Sequence, residues 1–176
     1  MVGTAFVLTS GTIACALVDR APDRGARATA PAPSIPDDHG STYLVLRLNE
    51  RRLYVMQEDA REPVESFPIA IGRAGHETPE GRFQVEEMVE HPDYQEIDPA
   101  DRSRIRKQVP PGPDNPLGDR WMGFTHGDGW TVGIHGTPHP ELLGKAVSGG
   151  CVRMRNADVI HVYDRVRLGT PVIVSP

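Results

Sequence analysis

Cysteine is scarce in this chain of 176 residues, which contains only Cys15 and Cys151. Two cysteines in such different surroundings do not indicate a disulfide framework. Cys15 lies in an apolar N-terminal run, whereas Cys151 lies among glycines. If that run is removed or embedded in a membrane, Cys151 is left as a single free thiol. In an exported protein such a thiol indicates reactivity rather than a structural role.

Basic clusters are also absent. The net charge is −5, and the chain has neither a lysine and arginine block nor interleaved basic and aromatic residues. This argues against a nucleic-acid partner, which requires a basic patch. Seventeen prolines and eighteen glycines predict many turns, few long helices and a sheet-rich fold. The length allows one domain with a modest extension, and no internal repeat is present.

The sequence predicts three segments. Residues 1–19 are apolar or small up to Asp19, which is typical of a signal peptide or a short membrane anchor, although no positively charged leader precedes them. Residues 20–40 are rich in alanine and proline and predict a disordered linker. Residues 41–176 then form the folded domain. We therefore expect a secreted or anchored protein of the cell envelope, periplasmic or extracytoplasmic; the alternative for the first segment is a buried strand or a disordered tail.

Short apolar runs bounded by turns predict a β-rich domain with one or two short helices. The predicted strands are 42–48, 52–56, 64–71, 83–89, 121–125, 129–135 and 170–174, with hairpins joining the first to the second and the third to the fourth. Helical spacing predicts one helix over 155–166, with Asn156 as its N-cap. Residues 91–120 are polar and predicted to be irregular, either a lid or wall over a site or a solvated excursion.

The strongest chemical signal is a cysteine that follows two glycines. Gly149 and Gly150 allow a sharp turn and leave amide groups accessible beside Cys151, and a helix is predicted just after it. Amides and a helix N-terminus both stabilise a thiolate. A histidine, His135, ends a predicted strand, and the carbonyl of Gly136 is available to its second ring nitrogen. The alternatives are a buried, inert cysteine and a structural histidine.

These residues resemble the signature of the L,D-transpeptidase (YkuD-type) catalytic domain. That signature is His-Gly, a spacer, then Ser-His-Gly-Cys, an apolar residue and Arg or Asn. The chain has His135-Gly136 and then Ser148-Gly149-Gly150-Cys151-Val152-Arg153, so it departs only at Gly149, where the family usually has a second histidine. Thr78-Pro79-Glu80-Gly81 also looks like the family. The resemblance covers most of residues 41–175 and implies a mainly β fold, a β-sandwich or mixed sheet.

The resemblance also implies roles for individual residues. The implied catalytic groups are the Cys151 thiol, the His135 imidazole, the Gly136 backbone carbonyl and the Gly150 amide, which would bind the oxyanion. The implied substrate-binding residues are Ser148, Gly149, Arg153 and His139. The implied reaction forms a cysteine thioester with a peptidoglycan stem peptide, releases a terminal D-amino acid and transfers the acyl group to an amine. Carbapenem-type inhibitors would acylate the same thiol, and neither cofactor nor metal is expected.

The sequence leaves several alternative functions open. Water as the acceptor would make the protein an L,D-carboxypeptidase, and a protein lysine would make it an anchoring enzyme. Gly149 is compatible with a catalytically weakened domain that only binds peptidoglycan. A metal-dependent hydrolase would need His126, His135, His139 and Cys151 to cluster, but their spacing matches no compact metal motif. A scaffold role has no support beyond the composition of residues 1–40.

Overall fold

The computed structural model describes Ile13–Ala14 and residues 42–98, 100–101, 103–127 and 130–176, with only the backbone described at 13, 14, 126, 127 and 130. The predicted signal or anchor segment and the predicted linker lie outside the described residues, apart from Ile13–Ala14. Within the described part of the chain, no helix is long and apolar enough to span a membrane.

The described chain contains fourteen strands, one α-helix and one 3₁₀ turn. The strands are β1 (Ile13–Ala14), β2 (Thr42–Arg47), β3 (Arg52–Gln57), β4 (Glu65–Pro68), β5 (Ile71–Gly72), β6 (Gly81–Gln84), β7 (Glu87–Glu90), β8 (Tyr94–Ile97), β9 (Ile105–Val109), β10 (Arg120–Gly127), β11 (Trp130–His135), β12 (Ala146–Ser148), β13 (Val152–Arg153) and β14 (Pro171–Ser175). The helices are the 3₁₀ turn Pro140–Leu142 and α1 (Asn156–Tyr163). The mainly β fold class is confirmed.

Two sheets and α1 enclose one hydrophobic core. The first sheet has the strand order β4-β3-β2-β14-β6, and the second has the order β13-β11-β10-β7. Alternation along β2 and β3 directs Leu44, Leu46 and Leu53 inward, as a period of two requires. Helix α1 lies against β10 and β11 and adds Val159 and Val162 to the core. The predicted hairpin of β2 and β3 is confirmed, and its register pairs Leu46 with Leu53.

The second predicted hairpin is wrong. The run 64–71 forms two strands rather than one, and β5 pairs in parallel with β12 while β6 pairs with β14. The run 83–89 is likewise divided between β6 and β7. The physical reason is that β5 and β6 do not pair with each other across the local turn. Their partners are β12 and β14, which lie far along the chain. Proline and glycine near a turn do not specify which strands pair.

The prediction that residues 91–120 are irregular is also wrong. They contain the antiparallel pair β8 and β9, with β1 added in parallel to β8, so that Ile13 lies opposite Tyr94. The sequence did not predict this pair of strands, because most of β9 is exposed on both faces and shows no apolar alternation. The segment also supplies Leu117, which is buried against Cys151. Part of the segment therefore forms a wall of the candidate site.

Candidate active site

The loop that carries Cys151 is fixed at both ends. Before it, β12 pairs in parallel with β5; after it, β13 pairs in parallel with β11, and Val152 lies opposite Ile134. This pairing brings Cys151 next to the strand that ends in His135. Cys151 therefore immediately precedes β13, and His135 ends β11, the neighbouring strand of the same sheet.

The hydroxyl of Ser148 organises the loop from within. It accepts a hydrogen bond from the Gly150 N–H at 3.1 Å and donates one to the Cys151 carbonyl oxygen at 2.5 Å. Because the Gly150 N–H is engaged in this way, its predicted role as an oxyanion donor requires that it leave Ser148 when substrate binds. That role stays a prediction. The role of Ser148 in shaping the loop has direct support in these two hydrogen bonds.

Thr78 fixes the loop from outside, and sequence reasoning missed it as a site residue. Its buried hydroxyl accepts the Gly72 N–H at 3.0 Å and donates to the Gly150 carbonyl oxygen at 2.8 Å. One side chain thus ties β5 to the turn before the nucleophile. The only available signal was its position in the Thr78-Pro79-Glu80-Gly81 motif, which lies between the third and fourth predicted strands.

Replacing Thr78 with valine removes both hydrogen bonds while it keeps the side-chain shape. We expect a loss of about 1–3 kcal/mol in the free energy of unfolding, because two buried polar groups lose their partner. We also expect the rate of Cys151 acylation to fall about tenfold, because the loop shifts. Urea unfolding and acylation kinetics measure the two effects. Thr78→Ser keeps the hydroxyl and should retain most of both; a serine variant as impaired as the valine variant would show that the hydroxyl alone does not hold the loop.

The imidazole of His135 has a fixed orientation. Its Nδ1 lies 2.6 Å from the Gly136 carbonyl oxygen. A carbonyl oxygen only accepts, so Nδ1 carries the hydrogen and Nε2 is the nitrogen able to take a proton. A main-chain oxygen thus orients the candidate base, in the arrangement that the resemblance implied.

Trp121 connects the nucleophile and the base, and it was predicted only as a strand residue. Its ring stacks on the His135 imidazole with centroids 5.9 Å apart and planes inclined by 28°. The same side chain forms a buried cluster with Cys151 and Leu117. Its indole N–H donates to Glu87 Oε2 at 2.9 Å. The ring also lies so close to Gly133 that a Cβ there would meet it at 2.7 Å, so this strand position requires glycine.

Burial dominates the protonation of His135. Only 4 % of its surface is exposed, and the pKa of its imidazole is lowered from 6.5 to about 4, chiefly by the loss of hydration. The positive charge of Arg153 contributes to this lowering, whereas the backbone of Gly136 and Leu117 partly opposes it. The imidazole is therefore neutral at pH 7. The Cys151 thiol, also 4 % exposed, lies 3.8 Å from the Thr131 carbonyl oxygen and donates to it.

A neutral imidazole on the strand next to a thiol can act as the general base for that thiol. His135 can accept the proton, and the backbone contacts of Gly136 and Leu117 stabilise the imidazolium that forms. The thiol first has to turn away from Thr131. The low pKa of His135 does not indicate a stable thiolate–imidazolium pair at rest.

Arg153 lies at the same edge of the site. It pairs in register with His135 across β13 and β11, and its backbone exchanges two hydrogen bonds with Ala70. Its Nε is buried and has no hydrogen-bond partner among the described residues. A guanidinium with an unused donor is suited to bind a carboxylate. Such a contact requires that the buried Nε become accessible when substrate binds, and the substrate-binding role of Arg153 stays a prediction.

The other predicted site residues, Gly149, His139 and His126, differ in how they lie relative to the site. Gly149 is half-buried, and a Cβ built on it would meet nothing within 4 Å, so the site has room for a side chain where the family usually has histidine. His139 is exposed, and its Nδ1 lies 3.3 Å from Glu141 Oε1, so its known contact is at the surface. The side chain of His126 lies outside the described residues. Among the described residues, no three histidine, cysteine or acidic side chains are grouped as a metal site would require.

Comparisons with known proteins agree with this geometry. The YkuD model of the L,D-transpeptidase catalytic domain matches residues 41–174. YqjB of Bacillus subtilis (strain 168), named as an L,D-transpeptidase, is 37% identical over 139 residues, which are 77% of this chain and 72% of YqjB. ErfK/SrfK of Escherichia coli (strain K12), also named as an L,D-transpeptidase, is 36% identical over 159 residues, which are 86% of this chain but 49% of that protein.

Solved structures show the same fold. The crystal structure of L,D-transpeptidase 3 from Mycobacterium tuberculosis matches with a TM-score of 0.59 at 20% identity, over 77% of this chain and 61% of that one. The NMR structure of the Enterococcus faecium catalytic domain matches with a TM-score of 0.59 over 79% of this chain and 100% of that one. Taken with the family model and the curated relatives, the site identifies the chain as a member of the L,D-transpeptidase catalytic domain family.

Proposed function

We propose that the protein is a cysteine-dependent peptidoglycan L,D-transpeptidase with Cys151 as nucleophile and His135 as general base. Family membership supports a transpeptidase role in peptidoglycan. The observation that carries the cysteine mechanism is the Nδ1 contact of His135 with the Gly136 carbonyl, which leaves Nε2 as the basic nitrogen on the strand next to Cys151.

The first half-reaction acylates the enzyme. His135 Nε2 takes the Cys151 proton, and the thiolate attacks the carbonyl that precedes a terminal D-amino acid in a stem peptide. Collapse of the tetrahedral intermediate breaks the peptide bond, and the imidazolium of His135 returns the proton to the departing amine. The products are a thioester on Cys151 and a free D-amino acid. Amides at Gly150 and Cys151 are the candidate oxyanion donors.

The second half-reaction resolves the thioester. An amine from a second stem attacks the thioester carbonyl, gives its proton to His135 and forms a new amide as the thiol of Cys151 is regenerated. Water in place of the amine gives a free acid, the product of an L,D-carboxypeptidase. The guanidinium of Arg153 is the candidate contact for a stem carboxylate in either case, and this contact requires the buried Nε to become accessible.

The proposal extends to inhibitors and location. L,D-transpeptidase 3 of M. tuberculosis has been solved with a faropenem-derived adduct, and LdtMt1 with imipenem. By analogy, carbapenem-type compounds would acylate Cys151 here. A cell-envelope location, secreted or anchored through the N-terminus, is supported by the composition of residues 1–40 and by the nature of the substrate.

A stem-peptide assay tests the function directly. The full chain is incubated with a tetrapeptide stem that ends in a D-amino acid, with and without a second stem as amine acceptor, and the products are identified by mass. Release of the D-amino acid with a cross-linked product is the expected result. Release with only the free tripeptide acid would make the protein a carboxypeptidase. Stem binding without release would indicate a peptidoglycan-binding domain, and neither binding nor release would overturn the proposal.

Gly149 favours the binding domain as a second candidate, since the usual histidine is missing there. The empty space around its Cβ position predicts that Gly149→His is accommodated, with a change in the free energy of unfolding of about 0.5 kcal/mol or less. We expect the KM for the stem to fall several-fold while the acylation rate changes little, because an added imidazole at this place contacts the substrate rather than the thiol.

Gly149→Ala serves as the control for loss of backbone freedom at that position. Measured turnover by the wild type would exclude the inactive binding domain. A wild type that turns over no substrate, with Gly149→His restoring turnover, would instead show that the glycine had inactivated the site.

A further inference from the structure

The first residue of α1 fills a gap between two loops of the active site. A Cβ built on Gly136 would lie 2.0 Å from Asn156 Oδ1, and one built on Gly118 would lie 2.1 Å from the same atom. Oδ1 is buried and has no hydrogen-bond partner among the described residues. The amide oxygen therefore occupies the place of a side chain on both glycines, and it faces their Cα–H groups, which are weak donors.

Both loops supply backbone groups to the candidate base. The carbonyl of Gly136 holds Nδ1 of His135, and the backbone of Leu117, one residue before Gly118, raises the pKa of the imidazole by favouring its protonated form. The loops touch, because a Cβ on Gly118 would lie 2.7 Å from the Gly136 Cα. We therefore expect a shift of the Asn156 side chain to move the Gly136 carbonyl that orients His135 and the Gly118 loop beside it.

We propose that Asn156 is a positioning residue for His135, acting through Gly118 and Gly136. It follows the Cys151 loop by only a few residues, and in between the Met154 N–H donates to the His135 carbonyl oxygen at 2.8 Å. Asn156 therefore sets the base loop relative to the nucleophile loop. The catalytic meaning of this contact rests on the proposed function, whereas its effect on the geometry of the site does not.

The prediction that Asn156 is the helix N-cap is wrong, so its side chain does not cap the helix. The N-cap is Arg155, which has extended backbone and makes no side-chain cap hydrogen bond, and Asn156 is already helical. The helix is anchored elsewhere, by the buried Val159 and Val162 and by His161, whose Nε2 lies 2.8 Å from both Glu65 carboxylate oxygens. The side chain of Asn156 is therefore not needed to hold the helix, and it packs against the loops at Gly118 and Gly136.

The test compares Asn156→Ala with His161→Ala, which weakens the same helix away from the site. Iodoacetamide alkylation of Cys151 in the full chain is followed by peptide mapping, which separates it from Cys15. We expect alkylation at pH 7 to slow about tenfold or more in Asn156→Ala, as for a small misplacement of a catalytic group. His161→Ala should alkylate at the wild-type rate despite a lower thermal midpoint. Equal rates in Asn156→Ala and wild type, or equal slowing in both variants, would overturn the proposal.

The pH profile gives a readout that a purely structural role would not change. Loosened loops admit water to His135, so the low-pH limb of alkylation should move upward from about pH 4 toward 6.5 in Asn156→Ala and stay in place in His161→Ala. If Asn156→Ala does not fold, Gly136→Ala tests the contact from the other side, because its Cβ displaces Oδ1. It should slow alkylation similarly, and a wild-type rate would overturn the proposal.

Carbapenem acylation of the same variants separates the two proposals. Slow alkylation of Asn156→Ala, together with no acylation of the wild type, would leave the positioning role intact and reject the transpeptidase mechanism. Acylation that is unaffected in Asn156→Ala would reject the positioning role alone.

Discussion

Replacing Cys151 with alanine should abolish the covalent adduct with a carbapenem and lower turnover of a stem peptide by about 10⁴-fold or more. The reason is that, among the described residues, Cys151 alone carries a thiol, and it is buried in a cluster with Trp121 and Leu117. Intact-protein mass after incubation with the carbapenem measures the adduct. The wild type should gain the mass of one inhibitor molecule, and Cys151→Ala should gain none.

Two controls decide between interpretations of this experiment. Cys15→Ser should acylate like the wild type, because the proposed mechanism uses only Cys151. Cys151→Ser replaces the sulfur with a hydroxyl oxygen of similar size. This variant should bind the stem with nearly unchanged affinity while turnover is lost. An adduct that persists on Cys151→Ala would place the nucleophile elsewhere, and a wild type without any adduct would reject the active enzyme as proposed.

The parts of the site that sequence could predict are those whose geometry is local. His135 and Gly136 are adjacent, so a ring nitrogen and the next carbonyl can meet without help from the rest of the chain. Ser148 similarly lies within three residues of both of its partners, Gly150 and Cys151. Strands β2 and β3 were predictable because a short connection leaves few ways to pair them.

The parts that sequence missed depend on contacts between distant segments. The partners of Thr78 are Gly72 and Gly150, and the second lies far along the chain. Trp121 meets His135 only through the register of β10 and β11, and Asn156 meets Gly118 only after α1 has packed. Composition and periodicity carry no information on such registers. The same limit explains why the partners of β5 and β6 were predicted incorrectly.

Burial of His135 has a consequence for stability as well as for catalysis. The imidazole stays neutral in the folded state down to about pH 4, whereas in the unfolded chain it takes up a proton near pH 6.5. The contribution of the neutral imidazole is therefore complete above pH 6.5, declines as the pH falls from 6.5 to about 4, and changes no further below that. The sign follows because the unfolded state binds the proton first.

The second large prediction is that wild type loses about 3 kcal/mol more than His135→Gln in the free energy of unfolding between pH 7 and pH 4. Urea denaturation of both proteins at the two pH values measures the difference, and the titrations of acidic groups common to both proteins cancel in the subtraction. Glutamine can still donate to the Gly136 carbonyl but has no titrating group. In the wild type, acylation of Cys151 should also persist below pH 6 and fail only as the pH approaches 4.

His161→Gln is the matched control, because the imidazole of His161 is partly exposed and bound to Glu65 rather than buried in the site. Its pH dependence of stability should not reproduce the change seen in His135→Gln. If wild type and His135→Gln lose stability in parallel, His135 is not held neutral by burial. An acylation rate that falls already near pH 6.5 would lead to the same conclusion. The base would then be a hydrated imidazole, in conflict with the buried position of His135 against Trp121.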